Sequence, residues 1–194
     1  MVRRLAAALL LCAMAAACQA TAPSAGGAIL PRGAGTPPPS FADHPPQDAD
    51  DDARLRAQVL EKLEQMNRTA YRGVSVSVWN GCVLLMGAVP RPDQRRHAER
   101  AAAAVPGTVR VLNELILAED RALDLFVPDG GRETLLRRQL NLPEDRMAVR
   151  VVNGVAFLLG DLDNSAEIDA MTADVGEVEG IKWVVAHLDA HVRR

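Results

Sequence analysis

Aromatic side chains make up only 3% of this 194-residue chain: three Phe, two Trp and one Tyr. Such a surface offers little on which bases or sugar rings can stack. Basic residues do not outnumber acidic ones: 22 Lys and Arg stand against 25 Asp and Glu, a formal net charge of −3. The electrostatic footprint of a dedicated nucleic-acid binder is therefore missing. Three cysteines are too few for a disulfide scaffold. The N-terminal apolar run, residues 5–17, falls short of the ~20 residues a helical membrane span needs. Catalytic signatures are missing as well, with no GxSxG, HExxH, P-loop or recognisable carboxylate pair, so no catalytic residue, cofactor or metal is expected. His187, Asp189 and His191 would share one face of a strand, but beside a fraying terminus they read as surface residues. Asp161-Leu162-Asp163-Asn164 lacks the Gly and Glu of a calcium loop and reads as a turn with a helix cap.

What is present begins with an export signal. Arg3 and Arg4 precede the run of residues 5–17, which fits the h-region of a secretory signal. The run ends Ala15-Ala16-Ala17-Cys18, and small residues before a cysteine resemble a bacterial lipobox, with Ala15 where Leu is usual. The resemblance implies a signal peptide over residues 1–17 and a lipidated Cys18, and Gln19 in the next position resembles outer-membrane sorting. Ordinary cleavage after Ala-x-Ala is the alternative, leaving Cys18 a plain thiol and the protein soluble in the periplasm. Cys82 is expected to be a free, half-buried thiol. Residues 18–52 are rich in Ala, Gly, Ser and Pro and end on an acidic cluster at Asp48 and Asp50 to Asp52. Lacking apolar periodicity, the segment cannot repay the entropy of ordering and reads as a disordered linker.

The rest of the chain repeats itself. At a constant offset of 73 residues, Val76 matches Val149, Val78 matches Val151, and Asn80-Gly81 matches Asn153-Gly154. Gly87, Val105, Gly107, Val111 and Leu115 likewise match Gly160, Val178, Gly180, Val184 and Leu188. Glycines in phase without a gap indicate duplication.

Each copy reads as helix, strand, strand, helix, strand. In the first, over residues 53–119, Leu55, Val59, Leu63 and Met66 recur at helical spacing. Val74, Val76 and Val78 alternate with Ser75, Ser77 and Trp79 as in a half-buried strand. Asn80-Gly81 is a strong hairpin signal, since both residues accept the positive φ of a type I′ turn. Pro90-Arg91-Pro92-Asp93 opens a second helix with a small face of Ala98, Ala101, Ala102 and Val105, and Val109, Val111, Leu115 and Leu117 line a third strand. The second copy, over residues 132–194, has a shorter first helix with Leu135, Leu136 and Leu140, a hairpin about Asn153-Gly154, a helix capped by Asn164 or Ser165, and a last strand from Ile181. The expected fold is α+β, two tandem units each with a small three-stranded sheet covered by two helices. Between them, residues 120–131 form a joiner whose Leu123, Leu125, Phe126 and Val127 are expected to pack against both units. Trp183 is expected between the units.

Asn80-Gly81-Cys82-Val83-Leu84-Leu85-Met86-Gly87 with Val105-Pro106-Gly107-Thr108-Val109, repeated as Asn153-Gly154-Val155-Ala156-Phe157-Leu158-Leu159-Gly160 with Val178-Glu179-Gly180-Ile181, resembles the BON domain. With the lipobox, the arrangement is similar to dual-BON outer-membrane lipoproteins of Gram-negative bacteria. That resemblance implies an anchor in the outer membrane at its periplasmic face, binding of anionic phospholipid by the second unit, and a part in envelope integrity. An alternative is a periplasmic adaptor for an envelope protein or for osmotic stress, with no direct lipid contact. The motif residues Asn80, Gly81, Gly87, Gly107, Asn153, Gly154, Gly160 and Gly180 are read as structural.

Charge is divided unevenly between the copies. The first carries ten basic and six acidic side chains, the second eight basic and eleven acidic. By resemblance, the phospholipid surface falls on the first helix of the second unit, at Arg132, Leu135, Leu136, Arg137 and Arg138. An alternative contact patch is Trp79 with Arg91, Arg95, Arg96 and Arg100. The arginine sets also fit plain solvated helix faces beside core residues, and Trp79 also fits a cover over the joiner or the other unit. Lipidation predicts that metabolic labelling with a palmitate analogue marks the wild-type chain and that Cys18→Ser removes the label; an equally labelled variant refutes it.

Overall fold

A computed structural model describes residues 49–143 and 145–190. Cys18, the signal run and nearly all of the tether lie outside the described residues.

The first helix, α1 (Ala49–Tyr71), buries Leu55, Val59 and Leu63 on one stripe. It begins inside the segment read as linker, because Asp50, Asp51 and Asp52 occupy its first turn, where carboxylates meet the positive end of the helix dipole. Asn67 leaves helical geometry (φ −169°, ψ 92°), and its Oδ1 accepts from the Ala70 amide, restarting the last turn. Met66, expected in the stripe, is 44% exposed where the regular helix ends just before that break. Strands β1 (Val74–Trp79) and β2 (Cys82–Val89) pair antiparallel about the Asn80-Gly81 turn. Helix α2 (Pro92–Ala103) starts on Pro92 and buries Ala98, Ala101 and Ala102.

The expected third strand is split. β3 (Arg110–Asn113) and β4 (Ile116–Leu117) both lie parallel to β2, separated by Glu114 and Leu115. Leu115 is buried, whereas Val109 and Leu117, read as core, are exposed at either end of this edge. A 3-10 helix, Asp120–Leu125, makes the joiner, and the Arg72 guanidinium ties it to the end of α1 through Asp120 and Asp124.

The second unit runs α3 (Gly130–Leu140), β5 (Met147–Val152), β6 (Val155–Leu162), α4 (Ser165–Gly176) and β7 (Trp183–Ala190), with sheet order β5-β6-β7. Asn164 caps α4 by accepting from the Glu167 amide. Gly87 and Gly160, equivalent in the two copies, have φ of 102° and 154°. A side chain at either would strike a backbone carbonyl, of Gly73 in one and Arg146 in the other. Only glycine fits there.

The two sheets are stacked. In each unit one sheet face packs on its own helices, around Val76, Val83 and Leu85 in the first and Val149, Ala156 and Leu158 in the second. The other faces meet in a third cluster, Cys82, Leu84, Met86 and Ala88 against Val152, Phe157 and Leu159. The layers therefore run helix, sheet, sheet, helix. Leu123 and Phe126 of the joiner are buried in the shared core, while Leu125 and Val127 are 66% and 58% exposed. The joiner thus contributes alternate residues and not its whole apolar set. Cys82, expected half-buried, is fully buried, and burial pushes its thiol up to about 12. It is an inert core residue.

Equivalent residues of the two copies line this core together. Cys82, Leu84 and Met86 correspond by the offset of 73 to Val155, Phe157 and Leu159. Glu114 and His187, also 73 apart, meet at 2.9 Å. The pairing is that of a pseudo-twofold dimer within one chain.

The hydrogen bond and charge of His187 hold the Glu114 carboxyl below its ordinary value of 4.5, against the opposing effect of burial. A depressed folded-state value contributes stability that is complete above the ordinary value and is lost as pH falls through the folded one. Urea unfolding of wild type should therefore weaken more steeply below pH 4.5 than that of Glu114→Gln; equal pH slopes would contradict the pairing.

Candidate functional site

The α3 residues named from sequence do not form one surface. Asp129 caps the helix by accepting from the Arg132 amide at 2.9 Å, and its carboxylate also lies 3.4 Å from the Arg132 guanidinium. Arg132 is partly buried and lies over Gly180, where any side chain would collide with it. Leu136 is fully buried in the second core and so is excluded from any lipid contact. Arg137 turns into a cleft between the units. Leu135, 40% exposed, and Arg138, also exposed, remain on the outer face, three residues apart and hence neighbours on the helix.

The alternative patch also divides. Arg91, Arg95, Arg96 and Arg100 are all exposed around α2. Arg95 donates to the Asn113 carbonyl, and Arg91 lies 3.4 Å from Asp93. Trp79 does not join them. It projects from the sheet face opposite α2, is partly buried, and its indole N–H donates to Asp161 Oδ1 at 3.3 Å. This is the reading in which Trp79 covers the other unit, and not the exposed contact.

Trp79 lines the inter-unit cleft, about 650 Å³, with Asp52, Arg56, Arg137, Arg150 and Asp161. Its cations and acids are largely committed to each other or to the fold. Arg150 pairs with Glu133 at 3.1 Å. Asp52 accepts from the amides of Asn80 and Gly81 at 2.7 and 2.9 Å, joining the start of α1 to the first hairpin turn. Burial raises the Asp52 carboxyl above its ordinary value, outweighing those two bonds.

Trp183, expected between the units, is 49% exposed. It follows an exposed Lys182 at the start of β7, beside Val155 near the second hairpin turn. Sequence reasoning passed over Lys182, although the offset of 73 sets it against Val109 and so marks a position where the copies differ in charge. The eight residues of β7 pair with β6 along one edge. Among the described residues no helix is long and apolar enough to cross a membrane, and no group of three or more His, Cys, Asp or Glu is arranged to hold a metal ion.

Comparison with known proteins agrees with the two-unit layout. The BON domain family profile matches residues 51–119 and again 132–190. Three curated relatives align over most of the folded region. An uncharacterized protein of Anaplasma centrale is 25% identical over 143 residues, covering 71% of this chain and 93% of its own. Outer membrane lipoprotein DolP of Haemophilus influenzae is 29% identical over 140 residues, covering 70% and 72%. A 21 kDa hemolysin of Actinobacillus pleuropneumoniae is 29% identical over 142 residues, with the same coverage.

The opposite settings of Leu135 and Leu136 give a direct check by chemical denaturation. Leu136→Ala should cost about 2–5 kcal/mol of stability, and Leu135→Ala about 0.5 kcal/mol or less. Equal losses would mean that the helix is rotated from this arrangement.

Proposed function

The chain belongs to the BON domain family, with two copies in tandem, and we propose from that premise that it is an outer-membrane-anchored periplasmic lipoprotein that binds anionic phospholipid. It supports envelope integrity through binding and does no chemistry of its own. The anchor is an acylated Cys18. One lipid chain alone holds a protein only marginally at a bilayer, so a multiply acylated cysteine is what makes the attachment lasting. The similarity to a relative named as an outer membrane lipoprotein supports this location.

The observation that carries the lipid reading is the outer face of α3, where Leu135 is exposed beside the exposed Arg138. An apolar side chain next to a guanidinium suits a headgroup boundary, where each cation near an anionic surface contributes about 1 kcal/mol. Of the five α3 residues first considered, these two are the contact, with Arg132 and Arg137 held in pairs or in the cleft and Leu136 in the core.

A second reading, an adaptor that docks on an envelope protein, is favoured by the long edge of β7, since a strand edge is a template for an added strand. Flotation with vesicles separates the two. The full chain should bind vesicles containing phosphatidylglycerol in preference to neutral ones at low salt, and Arg138→Ala should weaken this about five-fold. Absence of any preference for anionic lipid, with stoichiometric cross-linking to one envelope protein in cells, would favour the adaptor.

A further inference from the structure

We propose that the Asn153-Gly154 turn is an oxyanion site, which takes a phosphate group on two successive backbone N–H groups with Lys182 alongside. The first unit displays what this turn is able to hold. There the amides of Asn80 and Gly81 donate to the two carboxylate oxygens of Asp52, at 2.7 and 2.9 Å. Successive amides in such a turn form a concave anion receptor. The second turn has nearly the same backbone, with φ of 50° and 79° at Asn153 and Gly154 against 47° and 71° at Asn80 and Gly81.

The second unit lacks the internal anion. The offset of 73 carries Asp52 onto Leu125, an apolar residue that is 66% exposed, and α3 begins only at Gly130. Among the described residues no side chain or carbonyl accepts from the amide of Asn153 or Gly154. The acids at the start of α3 are occupied, Asp129 with Arg132 and Glu133 with Arg150 and the Val151 amide.

A cation stands where the first unit has none. Lys182 replaces Val109, its amide donates to the Gly154 carbonyl at 2.7 Å, and its stem lies across Gly154. A Cβ on Gly154 would come within 3.1 to 3.2 Å of Lys182 Cγ, Cδ and Cε. Lys182 and Asn153 are both exposed, so the site opens to solvent. Two amides and an ammonium at one turn suit a phosphate, either free or carried on a lipid headgroup.

Amide NMR of the full chain tests this, with inorganic phosphate in one arm and short-chain phosphatidylglycerol in the other, against chloride at matched ionic strength. Saturable shifts at the Asn153 and Gly154 amides, with Asn80 and Gly81 unmoved, are expected. Response in both arms identifies the phosphate group itself as the ligand, and response to the lipid alone identifies the headgroup as its source. Lys182→Ala, an exposed change that leaves the core intact, should weaken binding about two- to five-fold. Asp52→Ala should make the Asn80 and Gly81 amides respond to phosphate as well. No saturable response in either arm, or the same shifts with chloride, overturns the site. Because the readout is local to the turn, it fails independently of vesicle binding through α3.

Discussion

The back-to-back contact of the two sheets is the constraint on which the rest of the molecule depends. A three-stranded sheet with helices on one side leaves its other face apolar, and each unit of roughly 60 to 70 residues is near the lower limit for a self-sufficient core. Leu84, Met86, Phe157 and Leu159 resolve this by burying one unit against the other. A fully buried side chain of this size is worth about 1.5–3 kcal/mol. The shared core therefore supplies stability that neither unit has alone, and it dictates which surfaces remain for binding.

That dictation explains where the candidate contacts lie. With one sheet face taken by helices and the other by the partner sheet, neither unit presents a sheet face to ligands. Trp79 is drawn into the cleft and bonded to Asp161. What is left is the outer face of α3, the arginines around α2, the edge of β7 and the hairpin tips. The two tips are not equivalent. The long α1 reaches back to close the first with Asp52, whereas the shorter α3 leaves the second open beside Lys182. The difference in length between the two first helices thus separates a turn closed from within from one left open.

Local features were legible in the sequence because local chemistry determines them. Both Asn-Gly turns, the glycines at 87 and 160, the opening of α2 within residues 90–93 and the cap of α4 at Asn164 or Ser165 depend on backbone preferences of a few adjacent residues, and the structure takes Pro92 and Asn164. The repeat supplied the tandem layout. Contact between the units was legible through the apolar joiner, but the stacking of their sheets was not, since Ser75 and Ser77 give β1 the alternation of a strand wet on one side, and only a second sheet explains why Ser77 is buried. Trp183, expected between the units, lies exposed at the start of β7, and Trp79 is the tryptophan that meets the other unit. In α3 the adjacent leucines 135 and 136 leave the rotation of the helix undetermined, and the core settles it by taking Leu136. Lys182 was visible only by asking where the two copies disagree.

The meeting of Glu114 with His187 has a consequence for how such a chain diverges. In a dimer of identical units, a side chain on the symmetry axis confronts its own duplicate, so an acid there faces an acid and is disfavoured. Once both copies lie in a single gene, the two sides of the axis are free to change separately, and one side carries a carboxylate while the other carries an imidazole. A single chain with two copies can therefore hold an attractive contact at this position that self-association of two identical units would not offer.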